Sequence, residues 1–250
     1  MKKKILLVVA THGDETIGIE AIKILANYNL EKYFDILIAN PRAWKSNKRF
    51  IDIDLNRCYP GNKKSRLYEQ KIAAENLACA MNYKYIIDIH EAKAGIDDFI
   101  IEPRENISTK FPLDFLNLKK VLLWPETNYF NSRRNLLGEK PSGPLSSILA
   151  NAVELEFGVN NRNRKKAAAK AAKIIQNFIC NIYNLKGVRI TPDKKIYYVY
   201  GQLLVDDVGA KNVDFIDFKK ITLTEESFYP LLTGQYLKDG IICYKMKKVK

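Results

Sequence analysis

Only two histidines, His12 and His90, occur in this 250-residue chain, so chemistry that needs an imidazole must use one or both. The four cysteines, Cys58, Cys79, Cys180 and Cys243, are far apart and form no C-x-x-C pair. That argues against a disulfide framework and against a thiolate zinc site. No apolar run approaches the ~20 residues that a bilayer-spanning helix needs. Met1-Lys2-Lys3-Lys4 followed by apolar residues imitates a secretory leader. Its apolar part is short and reaches His12 without a small-residue cleavage site, so it reads as the first strand of a cytoplasmic protein. Negative charge is in deficit, with 28 Asp and Glu against 41 Lys and Arg, a net charge of +13. From Leu185 onward there are 12 basic and 8 acidic residues, so the excess follows no single block. A lysine-rich surface, or a preference for small anionic substrates, explains it as well as nucleic acid does. The hydrophobic fraction of 47% with 28% charged residues is that of a globular protein long enough for one large domain, or a large and a small one.

What is present gathers around the two histidines. The run Ile5-Leu6-Leu7-Val8-Val9 reads as a buried strand emptying into Ala10-Thr11-His12-Gly13-Asp14-Glu15. In an open α/β sheet, chemistry collects in the loops at the carboxyl ends of strands. His12 and Glu15 offer a nitrogen and a carboxylate oxygen to a divalent ion, zinc above all. His90 ends a second apolar run, Tyr85-Ile86-Ile87-Asp88-Ile89, and Asp88 on the same strand face is a candidate to hold its tautomer. The ordinary alternative for either histidine is a hydrogen-bonded structural residue at a strand end.

Along the chain, a helical stripe from Ile17 to about Asn27 precedes a strand at Phe34–Ala39, closed by Asn40-Pro41. Between Arg49 and Arg57, acidic and apolar residues alternate, which would place Asp52 and Asp54 on one face of an extended segment. That segment reads either as a solvated edge strand or, through Arg49, Asn56 and Arg57, as an anion clamp. A helix at about Ser65–Met81 leads into the His90 strand, and further strands are expected at Phe99–Glu102 and Lys120–Trp124. The composition of Pro125–Pro144 suggests a long functional loop. Ala152–Gly158 is a strand with Glu154 and Glu156 on one face, costly to bury unless paired or near a metal. A strong helix runs from Lys165 to about Tyr183. Beyond Leu185, short strands at Gly187–Thr191, Ile196–Tyr200, Ile221–Thr224 and Ile241–Tyr244 suggest a β-rich appendage. The expected division is therefore 1–184 and 185–250.

Taken in order, several of these pieces resemble the succinylglutamate desuccinylase/aspartoacylase family of zinc carboxypeptidase-like hydrolases. They are Thr11-His12-Gly13-Asp14-Glu15, Asn40-Pro41-Arg42-Ala43, Arg49-Phe50 with Asp54-Leu55-Asn56-Arg57, Asp88-Ile89-His90, and Glu156-Phe157-Gly158. The tail segment Phe228-Tyr229-Pro230-Leu231-Leu232-Thr233-Gly234 is similar to that family's C-terminal domain. The resemblance implies an α/β fold, a mixed and mostly parallel sheet flanked by helices, with a small C-terminal all-β domain. It implies one zinc ion per chain on His12, Glu15 and His90, with a water in the fourth position. It gives Glu156 the role of general base, with Glu154 as its rival, and gives Arg49 the scissile carbonyl. Asn56 and Arg57 would hold the carboxylate of an N-acyl amino acid.

The chain also departs from the family. Relatives that cleave acetylaspartate present an arginine about ten residues before the base, where this chain has Ser146; Arg133 or Arg134 could substitute. Glu91 follows His90 where relatives have a small or hydroxyl residue, its charge lying either close to the metal or facing away. Tyr236 is a loose match to a site-closing tyrosine. The expected activity is zinc-dependent release of a carboxylic acid from an N-acyl amino acid or related small carboxylate, with no membrane or nucleic-acid partner and homo-oligomerisation left open. Two other readings stand beside it: a metallocarboxypeptidase, and a basic RNA-associated protein with an idle site.

Overall fold

A computed structural model describes residues 3–93, 96–104, 106–124, 143–160, 162–185, 190, 193–208, 214–223 and 225–249. Its backbone is one ten-stranded sheet. In chain order the strands are β1 (Ile5–Val9), β2 (Phe34–Ile38), β3 (Tyr85–Lys93), β4 (Phe99–Glu102), β5 (Lys120–Leu123), β6 (Ala152–Val159), β7 (Lys195–Leu204), β8 (Ile221–Leu223), β9 (Glu226–Leu231) and β10 (Ile241–Lys248). Their spatial order is β2-β1-β3-β6-β4-β5-β7-β10-β9-β8. β1, β2, β3 and β6 pair in parallel, β4 meets β6 antiparallel, and β4–β5 and β5–β7 are again parallel. From β7 onward β10, β9 and β8 add as an antiparallel run. The protein is thus the expected α/β fold, a mixed sheet flanked by helices with an antiparallel C-terminal region.

The helices follow from apolar periodicity. α1 (Ile17–Leu25), α2 (Pro41–Lys45), α3 (Tyr68–Ala80), α4 (Leu145–Ile148), α5 (Arg164–Ile182) and α6 (Val205–Val208) occur in that order. On one face of the sheet Ile5, Leu7, Val9, Ile87, Ile89, Val153 and Leu155 pack against α1 and α5, through residues such as Ile17, Ala21, Ala171, Ile175 and Phe178. On the other face Leu6, Val8, Ile86 and Ala152 pack against Ile72, Ala73 and Ala80 of α3. Side chains alternate along a strand. Asp88 and His90 therefore lie on the Ile86 side, and Glu154 and Glu156 on the Ala152 side, which is the same face. Parallel pairing sets Asp88 beside Glu154 and His90 beside Glu156.

Most expected elements fall within a few residues of their places, and the differences have causes. The alternating stretch before Arg57 is no strand: it bends and closes in a 3-10 turn at Leu55–Arg57. Its backbone cannot pair with a neighbouring strand, because Ile51, Asp52 and Ile53 N–H donate to the buried carboxylate of Glu69. Asp52 accepts from Tyr68 N while Asp54 turns toward His12, so the two do not act together. Asn40-Pro41 starts α2 rather than only ending β2, since Asn40 accepts from Ala43 N and proline fits the first helical position. β9 was not expected as a strand, and Pro230 lies within it. Most of the expected loop at Pro125–Pro144 and of the strand at Gly187–Thr191 lies outside the described residues.

Candidate metal centre and active site

β1 delivers His12 through a strained turn. Ala10 has φ +53°, a left-handed conformation that non-glycine residues enter at a cost of order 1 kcal/mol. The turn is fixed on both sides, as Asn40 N donates to Ala10 O and Gly13 N to Arg49 O. Gly13 is required by space: a Cβ there would collide with the backbone of Ala43 and Trp44. The 40–49 segment thus lies directly against the His12 loop.

His12 Nδ1 lies 2.7 Å from Glu15 Oε1, and His90 Nδ1 lies 3.1 Å from Glu15 Oε2. The three side chains are 4%, 8% and 1% exposed in chain order. One ligand atom from each lies within 4.8 Å of the others, so the group could hold a metal ion. On the far side of each ring stands an aspartate. His12 Nε2 lies 3.0 Å from Asp54 Oδ1. His90 Nε2 lies 3.2 Å from Asp88 Oδ2, an ion-pair distance, and this buried nitrogen has no well-directed hydrogen bond among the described residues. Asp88 is itself held by Thr11 Oγ1 at 2.9 Å. Carboxylates behind both imidazoles leave the Nδ1 atoms to converge, an arrangement that orients histidine as a metal ligand.

The charges point the same way. Burial alone would lower the His12 pKa, but Glu15 and Asp54 outweigh it and raise it to about 8. His90 is raised well above the ordinary imidazole value: Asp88 and Glu15 overcome its burial. Burial acts to raise Glu15 and Asp54, yet His12 and His90 hold the Glu15 carboxyl, and His12 with Arg57 and Arg49 the Asp54 carboxyl, well below the usual range. The cluster therefore favours positive charge among these groups, which a divalent cation supplies. The N/O donor set fits zinc.

Around this centre lie the other sequence-derived candidates. Arg49 Nη1 donates to Glu15 Oε1 at 3.3 Å and its Nη2 to Asp54 Oδ2 at 3.5 Å. Asn56 N donates to Asp54 Oδ1, and the buried Asn56 Oδ1 has no hydrogen-bond partner among the described residues. Arg57 Nη1 donates to Asn56 O, and its charge reaches Asp54, Glu154 and Tyr236. Glu156 is partly exposed beside His90 and has no hydrogen bond to any described residue. Burial raises its pKa to about 7, with His90 opposing and Glu15 and Glu154 reinforcing. Glu154 lies one step deeper on the same face and accepts a hydrogen bond from Ser146 Oγ; burial raises its pKa too. Ser146 thus serves Glu154, and Arg133 and Arg134 lie outside the described residues. Tyr236 comes within electrostatic reach of Arg57, Arg49 and Glu156, although it lies in the C-terminal region. The Glu91 carboxylate faces away from the centre, to the start of α1.

Sequence reasoning missed two groups. Asp54 behind His12 is one; its signal was no more than an acid in a polar motif. Glu69, on α3, is the other: no exposure, with three backbone N–H groups and Asn40 Nδ2 on its oxygens. Nothing local in the sequence distinguishes it from a solvated helix acid.

An α/β sheet thus brings together a His–Glu–His group that could hold a metal ion, from the loop after β1 and from within β3, beside the Glu156 carboxyl. Comparison with known proteins narrows this. Residues 1–182 match the succinylglutamate desuccinylase/aspartoacylase catalytic domain, and the chain belongs to that family. A probable aspartoacylase of Trichodesmium erythraeum (strain IMS101) is 35% identical over 117 residues, 40% of this chain and 40% of that protein. The match therefore spans about two fifths of that relative's length. In overall fold the chain is similar to murine aminoacylase 3, with TM-score 0.68, 18% identity, and coverage of 99% of this chain and 95% of that one. It is also similar to the succinylglutamate desuccinylase from Chromobacterium violaceum, with TM-score 0.67, 16% identity, and coverage of 99% and 85%.

Proposed function

We propose that the protein is a zinc-dependent amide hydrolase that releases a carboxylic acid from an N-acyl amino acid or a related small carboxylate. The observation that carries this reading is the pair of Nδ1 atoms converging on one carboxylate, each imidazole backed by an aspartate, with Glu156 unpaired alongside. Family membership supports the deacylase class.

His12, Glu15 and His90 would hold the ion, one per chain. When bound, zinc polarises a carbonyl and lowers the pKa of its water toward neutrality. Glu156 accepts the proton of the attacking water and passes it to the leaving amine, a role suited by a pKa near the working pH. Arg49, only partly engaged by Glu15 and Asp54 at 3.3 and 3.5 Å, orients the scissile carbonyl and stabilises negative charge on its oxygen. Asn56 and Arg57 hold the substrate carboxylate. Tyr236 lies within electrostatic reach of Arg57, Arg49 and Glu156, so the C-terminal region contributes a residue near the proposed site. Residues 1–184 form the catalytic unit and 185–250 an appended β-rich unit that supplies Tyr236. No helix among the described residues is long and apolar enough to cross a membrane.

The test is amine release from a panel of N-acyl amino acids by zinc-loaded protein, with Glu156→Gln and Glu154→Gln beside it. Glu156→Gln should keep the metal and lose turnover at least a hundredfold, within the usual contribution of acid–base catalysis, while Glu154→Gln keeps turnover. Cleavage of peptides in preference to acyl amino acids would favour the carboxypeptidase instead.

A further inference from the structure

Glu91 occupies a junction that the reaction itself does not use. It follows His90 on β3, and its backbone N–H donates to Glu15 Oε2 at 3.1 Å, the same oxygen that His90 Nδ1 approaches. Its carboxylate turns the other way. Oε1 accepts Thr16 N at 2.6 Å and Ile17 N at 2.7 Å, the first free N–H groups of α1. Arg164, the first residue of α5, grips both oxygens, Nη1 to Oε1 at 2.8 Å and Nη2 to Oε2 at 2.9 Å. The same Nη1 donates to Thr16 Oγ1 at 2.8 Å. The Glu91 side chain is 10% exposed and that of Arg164 30%. A planar fork on a carboxylate restricts both partners in direction as well as distance.

We propose that the Glu91–Arg164 pair is a positioning device for the His12/Glu15/His90 group. It rests on the metal reading of that group. Glu15 is the residue directly before Thr16, and His90 the residue directly before Glu91. Tying Thr16 and Ile17 to Glu91 therefore cross-links the chain next to one ligand with the chain next to another. Arg164 fixes that cross-link to the helix that packs against α1. The spacing between the Glu15 carboxylate and the His90 ring is set by this bolt and by the Glu91 N–H, ahead of any ion binding. Without the pair, α1 and the His12–Glu15 loop could shift relative to β3, and the ion would have to draw its ligands together.

The experiment measures zinc affinity of the full chain by competition with a chromophoric chelator, well below each protein's melting temperature, with circular dichroism alongside. Glu91→Gln and Arg164→Met should each weaken zinc about 10–100-fold, the range for groups that orient ligands. The double variant should lose little more than either single one, because the two act through one contact. Arg164→Lys, which keeps the charge but not the fork, should fall between. Ile174→Ala, a buried truncation about three turns along α5 from Arg164, controls for general destabilisation: it should lower the melting temperature and leave zinc affinity unchanged. Wild-type affinity in Glu91→Gln would overturn the proposal, as would an equal loss in Ile174→Ala. Absence of zinc binding by the wild-type chain would instead overturn the metal reading beneath it.

Discussion

Glu69 ties the segment between Arg49 and Asp54 to α3, and Glu69→Gln exposes that link. The side chain has no exposure; Oε1 accepts Ile51 N at 2.7 Å and Asn40 Nδ2 at 3.1 Å, and Oε2 accepts Asp52 N at 3.0 Å and Ile53 N at 3.2 Å. Glutamine preserves the shape but can accept at only one of the two positions. With its oxygen toward Ile51 and Asn40, its NH2 confronts two backbone donors. Hydrogen bonds to a charged group contribute about 1.5–3 kcal/mol each. Allowing for relaxation, the loss should be ~2–4 kcal/mol. For a chain of this size ~1 kcal/mol corresponds to about 2–4 °C, so the melting temperature should fall by roughly 5–15 °C. The freed segment begins just after Arg49 and ends just before Asp54, so function should fall even where the protein stays folded. Below the transition, the turnover number should drop about tenfold or more while the circular dichroism spectrum is kept. A Glu69→Gln protein that melts within a degree of wild type with full turnover would refute the reasoning.

Titration offers two further checks. In the metal-free protein Glu156 has a folded pKa of about 7 against an ordinary 4.5, so the unfolded chain ionises first. Its contribution to stability is full below pH 4.5 and is lost as pH rises through 7. Glu156→Gln should therefore melt higher than wild type above pH 7 and gain no such advantage at pH 4; equal differences at both would refute the assignment. A bound cation draws the Glu156 pKa back down from that raised value, so turnover of loaded enzyme should rise with pH to a plateau reached by about pH 7. Lys194 donates to Leu116 O at 2.6 Å and Leu118 O at 2.7 Å, and burial lowers its pKa from 10.5 to about 8, with Asp114 opposing. Between those values the unfolded chain binds a proton that the folded chain has released, so stability should rise with pH by roughly 3 kcal/mol. Lys194→Gln should lack that slope in denaturant titrations across the interval, and an unchanged slope would refute it.

How much of this was legible before folding depends on whether the physics is local. An unbroken apolar run bounded by a polar turn marked β1, as expected of a strand buried on both faces, while β3 and β6 showed as apolar segments interrupted on one face by Asp88 and His90 and by Glu154 and Glu156. The helical stripes of α1, α3 and α5 were visible for the same kind of reason, a fixed period of side chains against a core. The two histidines stood out by scarcity, and tying each to a predicted strand needed no tertiary information, although β3 runs on past His90 to Lys93 instead of ending there. Alternation misled before Arg57, because the buried acceptor of those N–H groups lies on α3, many residues later. Pro230 concealed β9, since a residue without an N–H weakens the strand signal. The ordered motifs also carried the family, which residues 1–182 show.

The sequence by itself thus determined the strand and helix pattern, the α/β class and the set of side chains with chemistry to offer. All of these depend on spacing along one stretch of chain. Only the tertiary structure decided which atoms meet. It turned Asp54 behind His12, pointed the Glu91 charge into the start of α1, gave Ser146 to Glu154, and brought Tyr236 to Arg57 from the far end of the chain. Most of these contacts join segments tens to nearly two hundred residues apart, Ser146–Glu154 being the exception at eight, and a side chain's direction across such a gap is set by packing of the whole sheet and its helices rather than by its neighbours in sequence.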